Sequence, residues 1–195
     1  MKIIATFLIA GLCGFCSCKS RADNLIQIDQ IGSNNTITVD QQGDGHIAKL
    51  RIGETSSVDY TTIAITQQGA AKIANVEIKS GINNSANIQQ DGNGNHNAAI
   101  QNLNGSGNQM NITQTGSGSH SFTVTAGAGT TNDANVLNAQ QSGGAGADKT
   151  FNLWLNGSTG ANVSVQQNNP NTASQGGMNI QCMPGTCGNF SYIRN

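Results

Sequence analysis

The sequence predicts an all-β fold, a β-solenoid of stacked strand–turn–strand repeats, preceded by an N-terminal signal peptide. Three observations carry that prediction. Apolar and polar residues alternate over runs of five or six, the period-2 signature of a strand. The runs are separated by reversals such as Gly43-Asp44-Gly45, Asn93-Gly94-Asn95 and Gly116-Ser117-Gly118-Ser119, whose glycines supply the positive φ of tight turns. A Gln and a Gly recur at the same two offsets along the chain, and such self-similarity marks a repeat architecture.

The composition narrows the function classes. The 195 residues include 26 Asn, 17 Gln and 25 Gly, whereas aromatics are 4% and charged residues 10%. An ordinary soluble domain carries about 25% charged residues, and so few aromatics cannot fill an ordinary globular core. Lys+Arg 9 against Asp+Glu 10 gives a net charge of −1, which leaves no electrostatic footprint for nucleic acid and no polybasic membrane patch. Low charge also argues against the usual charge-rich disorder. No nucleophile elbow, phosphate loop or paired-carboxylate motif is present, so the reading includes no enzyme activity, cofactor or small-molecule substrate. His46, His96 and His120 fall in or beside turns and read as solvated turn residues rather than metal ligands.

Residues 1–22 read as an address. Lys2 supplies a positive start, and Ile3 to Phe15 is an apolar run too short for a stable membrane anchor. Ser20 and Ala22 place small residues at −3 and −1 of a cut before Asp23. The alternative is a lipoprotein acylated at Cys18, which the preceding Phe15-Cys16-Ser17 fits poorly. The expected mature chain is exported, and Cys13, Cys16 and Cys18 leave with the leader.

Residues 23–181 form the repeat region. Five segments share the frame polar-x-φ-x-φ-x-Gln-x-Gly, where φ is apolar: Asn24 to Gly32, Asn35 to Gly43, Thr61 to Gly69, Asn84 to Gly92 and Asn108 to Gly116. Weaker copies begin at His96, Ser121, Ala161 and Gly177, the first with Asn102 in place of Gln. From Ala86 through Ala98 and Met110 to Phe122 the first apolar position advances by a constant 12 residues, room for one strand and one turn.

A single strand–turn–strand unit cannot bury its apolar face alone. Stacked on a copy of itself at about 4.8 Å, every backbone N–H and C=O finds a partner in the next layer, and equivalent side chains line up in files. The φ files make a thin dry core. The amide files hydrogen-bond along the stack, which is how a polar side chain tolerates burial. The expected ladder residues are Asn24, Gln30, Asn35, Gln41, Thr61, Gln67, Asn84, Gln90, Asn108 and Gln114, with Gly32, Gly43, Gly69, Gly92 and Gly116 at the turns. An antiparallel sandwich or barrel would share the alternation, but its strands occupy unlike positions and would not keep Gln and Gly in register.

Residues 182–195 read as a disulfide-looped tail or cap. Pro184-Gly185 is a turn signal that folds Cys182 toward Cys187, and an oxidising compartment joins such thiols. A metal half-site is the other reading, but it lacks a second ligand pair nearby.

The frame resembles the curlin repeat of the curli family, the secreted subunits of bacterial functional amyloid. That pattern is Ser-x5-Gln-x-Gly-x4-Asn-x5-Gln. Asn24, Asn35, Thr61, Asn84 and Asn108 stand at its Ser position, each followed by Gln six residues on and Gly two later, and residues 95–102 match its second half. The likeness is good over residues 24–126 and loose over 127–181. It implies extracellular fibre formation by self-association, surface adhesion and biofilm matrix. Its implied partners are a nucleator or major subunit and an outer-membrane secretion apparatus. Whether this chain would be the major or the nucleating subunit stays open.

The physics of polymerisation follows from the repeat. A solenoid ends in two rows of unpaired backbone groups, and no capping helix precedes the first frame at Asn24. Adding the same layer to an open end is a heterologous contact that does not close, so it yields filaments. A capped monomeric solenoid acting as an adhesin is the alternative, with Phe190, Tyr192 and Ile193 covering the last layer. The Thr36/Thr38 and Thr123/Thr125 pairs are too sparse for an ice-binding array. Charges that interrupt strands act as gatekeepers against self-association, and residues 92–132 contain none. A synthetic peptide of residues 96–118 is therefore expected to assemble and bind thioflavin, checked by fluorescence; a soluble, thioflavin-negative peptide contradicts this.

Overall fold

The computed structural model describes residues 3–7, 23–54, 56–127, 129–168, 175–185 and 187–194. Most of the expected leader, with its cysteines and the small residues before Asp23, lies outside the described residues. In chain order the strands are β1 (Ile3–Phe7), β2 (Leu25–Gln30), β3 (Thr36–Gly43), β4 (Ile47–Ile52), β5 (Val58–Asp59), β6 (Thr62–Gly69), β7 (Ile73–Ile82) and β8 (Ser85–Asp91). Then come β9 (Asn97–Asn104), β10 (Gln109–Gly116), β11 (His120–Ala126), β12 (Val136–Gly143), β13 (Lys149–Leu155), β14 (Asn162–Gln167), β15 (Gln175–Cys182) and β16 (Asn189–Arg194).

The strands alternate between two sheets. One runs β1-β2-β4-β7-β9-β11-β13-β15, with β5 alongside β7; the other runs β16-β14-β12-β10-β8-β6-β3. Every pairing is parallel except β1 on β2, where Ile3 faces Gln30 and Phe7 faces Ile26. The protein is thus an all-β, parallel-sheet β-solenoid, each circuit contributing one strand to each sheet. Part of the segment expected to be a leader forms the outermost strand of the first sheet.

Inward side chains stack like on like. In the second sheet Ile37, Ile63, Ala86, Met110, Leu137, Val163 and Phe190 form one file, and Val39, Ile65, Ile88, Ile112, Ala139, Val165 and Tyr192 the next. In the first, Leu50, Val76, Ile100, Val124, Leu153 and Ile180 stand in register. Aromatics follow the same rule: Phe122 stacks on Phe151 with ring centroids 4.7 Å apart. These files converge on a single dry core, and each buried aliphatic contributes about 1.5–3 kcal/mol relative to exposure.

Register survives unequal circuits. Successive partners in the second sheet are 23 residues apart at Thr62 and Ser85, 24 at Ser85 and Gln109, and 27 at Gln109 and Val136. The extra residues are taken up at the corners. Among the described residues two pairings shift within strands: β15 slips against β13 between Lys149 and Phe151, and β9 shifts register against β7 beyond Val76. There Asn102, which the frame places at a Gln position, sits at a bulge with φ 56°. Asn tolerates that conformation better than most side chains.

The frame glycines form a file of their own. Gly43, Gly69, Gly92 and Gly116 hold φ of 123°, 90°, 102° and 102°. A Cβ on any of them would collide with the carbonyl oxygen of the glycine one layer on, the last facing Gly143. Gly32 also has positive φ, but it abuts the backbone of Val58 and stands apart from this file.

Candidate functional site: buried amide files and a donor corner

The repeated Gln ends the apolar run of six of the seven strands of the second sheet, from β3 to β14, so parallel register brings each copy onto the next. Gln41 Nε2 donates to Gln67 Oε1 at 2.8 Å, and the chain continues Gln67 to Gln90, Gln90 to Gln114, Gln114 to Gln141 and Gln141 to Gln167, each at 2.9 Å. The second amide hydrogen crosses to the opposite sheet, as in Gln90 to Ile73 O and Gln114 to Asn97 O at 3.0 Å. Gln67, Gln90, Gln114, Gln141 and Gln167 are buried. All these amides point the same way. At the β3 end the buried Oε1 of Gln41 has no hydrogen-bond partner.

A second amide file occupies the corner before these strands. Asn35 Oδ1 accepts from Thr61 N at 2.8 Å, and its Nδ2 donates to Val58 O at 2.7 Å. Asn84 Oδ1 accepts from both the backbone N and the Nδ2 of Asn108, and Asn108 Oδ1 accepts likewise from Asn135. The Nδ2 groups of Asn84, Asn108 and Asn135 hold the carbonyls of Gly105, Asn132 and Ser158. Each Asn therefore satisfies a corner that an apolar residue would leave with orphaned backbone groups.

Three residues of the expected ladder do not join these files: Thr61 stands between Asn35 and Asn84 at the corner, but its buried Oγ1 has no hydrogen-bond partner, and the other two are Asn24 and Gln30. Asn24 and Gln30 lie in the first sheet. Gln30 pairs with Ile52 and heads an apolar file running through Ile52 and Ile78. Asn24 precedes β2, where its Oδ1 accepts from His46 N at 2.9 Å and its Nδ2 donates to Gly43 O. Conversely, Asn135, Gln141 and Gln167 belong to the files but are missing from the expected set. Asn135 to Gly143 carries the full frame, with Leu137, Ala139, Gln141 and Gly143 at its offsets; the long corner before it hides the spacing.

The histidines correct a sequence expectation. They are not solvated: His46, His96 and His120 are buried, in one file with Lys72 and Lys149. This corner gathers backbone carbonyls and therefore demands N–H donors. Lys72 Nζ donates to Ala70 O, Gly92 O and Gly94 O at 2.9, 2.8 and 3.0 Å, and Lys149 Nζ to Ala147 O at 2.9 Å. His46, His96 and His120 face Gln42 O, Asp91 O and Thr115 O through Nε2. A carbonyl only accepts, so Nε2 carries the proton, leaving His96 Nδ1 to accept from His120 N at 3.4 Å. The His96 and His120 rings stack at 4.9 Å. The legible signal was a donor three to six residues after each frame glycine.

Burial lowers the pKa of His96 and of His120 to about 4; Lys72 adds to the effect on His96, as the neighbouring imidazole and Lys149 do on His120. The hydrogen bonds to the Asp91 and Thr115 carbonyls and the charges of Asp91 and Asp148 oppose it. Burial also lowers Lys72 and Lys149.

Cys182 and Cys187 are joined as a disulfide with Cα atoms 5.2 Å apart. Cys182 is buried below the Leu155 end of β13, and the loop leads into β16.

A family model, described as the curlin associated repeat, matches residues 22–51. That stretch spans β2, β3 and β4, one full circuit and its return. No curated protein and no solved structure matches the chain.

Two outcomes follow. Gln90→Ala strands the Oε1 of Gln114 and removes the acceptor of Gln67, so chemical denaturation should show a loss of about 2–4 kcal/mol, while the exposed Gln42→Ala changes little. The two histidines are neutral in the fold and bind protons more readily when unfolded, so stability should be level above about pH 6.5 and fall as pH drops toward about 4. The pair of changes His96→Gln and His120→Gln should flatten that slope in thermal melts taken across the range.

Proposed function

We propose that this chain is a secreted structural subunit, major or nucleating, of curli-like extracellular amyloid fibres that act in surface adhesion and biofilm matrix. Its assembly partner is another copy, with a nucleator or major subunit beginning the fibre; residues 1–22 act as a cleaved signal peptide, and an outer-membrane apparatus exports the mature chain. The repeat match over residues 22–51 supports the family reading.

One observation carries the proposal: the Gln file stops at a buried acceptor, Gln41 Oε1, on an edge strand. Among the described residues no strand pairs with the far side of β3 or of β16. At the other end Arg194 takes the position after Gln167 in the same register, and guanidinium offers donors alone. A head-to-tail copy would bring that donor group to the waiting acceptor while β16 extends onto β3. Loss of residues 1–22 would also bare the β2 edge that β1 covers.

The capped, monomeric adhesin has support of its own. Phe190 and Tyr192 close two aliphatic files with bulky rings, and both pack against the core. Ile193, expected in that cover, is 60% exposed.

Purified protein lacking residues 1–22 separates the two. A fibre subunit converts to thioflavin-positive filaments after a lag that seeds abolish, and Gln41→Ala lengthens the lag several-fold. A chain that stays monomeric by light scattering, with no filaments by electron microscopy, overturns the fibre reading.

A further inference from the structure

The outward face of the first sheet changes character along the stack. Near β4 and β7 it is charged, and the charges satisfy one another: Arg51 meets Glu54 at 3.3 Å and Glu77 at 3.4 Å, and Lys79 meets Glu54 at 3.0 Å. Farther along, over β11, β13 and β15, the same face carries no charge. There a depression of about 600 Å³ is lined by Thr123, Thr125, Asn152, Trp154, Asn179 and Gln181, with β-strand backbone as its floor.

Trp154 is the sole tryptophan of the chain, and it is 47% exposed. It stands in register between Thr125 and Gln181, while Asn152 stands between Thr123 and Asn179. Phe122, Phe151 and the aliphatic residues of these strands face inward and fill the core, so core packing does not account for the indole. Asn152 Nδ2 donates to Asn179 Oδ1 at 2.8 Å, which fixes both amides beside the ring. The result is a flat, neutral strip. Three layers give it about 10 Å of length, and two side-chain columns about 7 Å of width.

Each property of the strip selects a ligand. An aromatic face attracts C–H groups through its quadrupole, and a pyranose ring presents such C–H groups on its flat side. Amides and threonine hydroxyls offer donors and acceptors together, which is what paired sugar hydroxyls need. The lack of charge disfavours anionic polymers and acidic or basic peptides, which would lose hydration without ionic compensation. The rigid floor and pre-bonded amides reduce the ordering cost of binding. We propose that this face binds a neutral polysaccharide, an extended pyranose chain lying along the stack with one ring against Trp154. The side chains of the site project from a sheet face, across the direction in which layers add; Trp154 lies one strand in, on β13, while Asn179 and Gln181 lie on β15, the edge strand of the first sheet.

The single tryptophan makes the test direct. Purified protein is titrated with a soluble neutral glucan hexasaccharide while indole fluorescence is followed, and is separately co-sedimented with insoluble neutral glucan. The expected result is a saturating change in emission and retention on the solid polymer. Trp154→Ala should bind at least about tenfold more weakly, Asn152→Ala should bind less tightly than the parent, and Arg51→Ala should bind as the parent does. Circular dichroism of each variant checks that the fold is kept. Equal retention of Trp154→Ala and the parent overturns the proposal, as does salt-sensitive retention on an anionic polysaccharide with none on the neutral one. Loss of lateral association in Trp154→Ala with no saccharide response in the parent would make the face a contact between copies, and also overturns it. Fibre formation, read by thioflavin, should be unaffected by Trp154→Ala, so failure here leaves the assembly reading intact.

Discussion

A buried amide must find a hydrogen-bonding partner, and in a parallel in-register stack the neighbour at its own height is the same position one layer on. That constraint organises the protein. It requires Gln to follow Gln from residue 41 to 167 and Asn to follow Asn at the corner from 84 to 135. It holds the backbones in register and thereby aligns the aliphatic files and the stacked Phe122 and Phe151. A thin core, mostly Ile, Val, Ala and Leu, suffices because the Gln file fastens each circuit from Gln41 to Gln167 and the Asn file adds a second tie from Asn84 to Asn135.

The same logic explains where charge is tolerated in the interior. The corner that precedes each strand of the first sheet collects carbonyl oxygens, so a donor is needed whether it is imidazole or ammonium. Lys72 places three donated hydrogens on three carbonyls, while burial lowers its pKa against the opposing charge of Asp91. The histidines meet the same need with one donated hydrogen and no charge. Protonating them adds positive charge beside Lys72 and Lys149 with no new acceptor to receive it.

Much of this was legible in the chain, and what was missed has particular causes. The frames from Asn35, Thr61, Asn84 and Asn108 to their glycines mark four strands of one sheet, and each occupies the layer that its spacing implies. Asn24 to Gly32 reads identically but belongs to the other sheet, because alternation is a local property that says nothing about which face of the circuit a strand occupies. Gln30 therefore meets Ile52 and not Gln41. The frame at Asn135 is masked in the sequence by the longer corner that precedes it. The turns around the histidines are local features, whereas the burial of the imidazoles depends on the layers above and below. Trp154 left no trace in the repeat frame, since an outward position alternates with core whatever residue it holds.

Circuits of unequal length keep their ladders in register, with the surplus absorbed beyond the strands at segments such as 129–134 and 144–148. The corners thus behave as expansion joints. Insertions and deletions there would drift freely through descent, and a foreign peptide grafted at such a bend should be displayed at the rim without disturbing the inner scaffold.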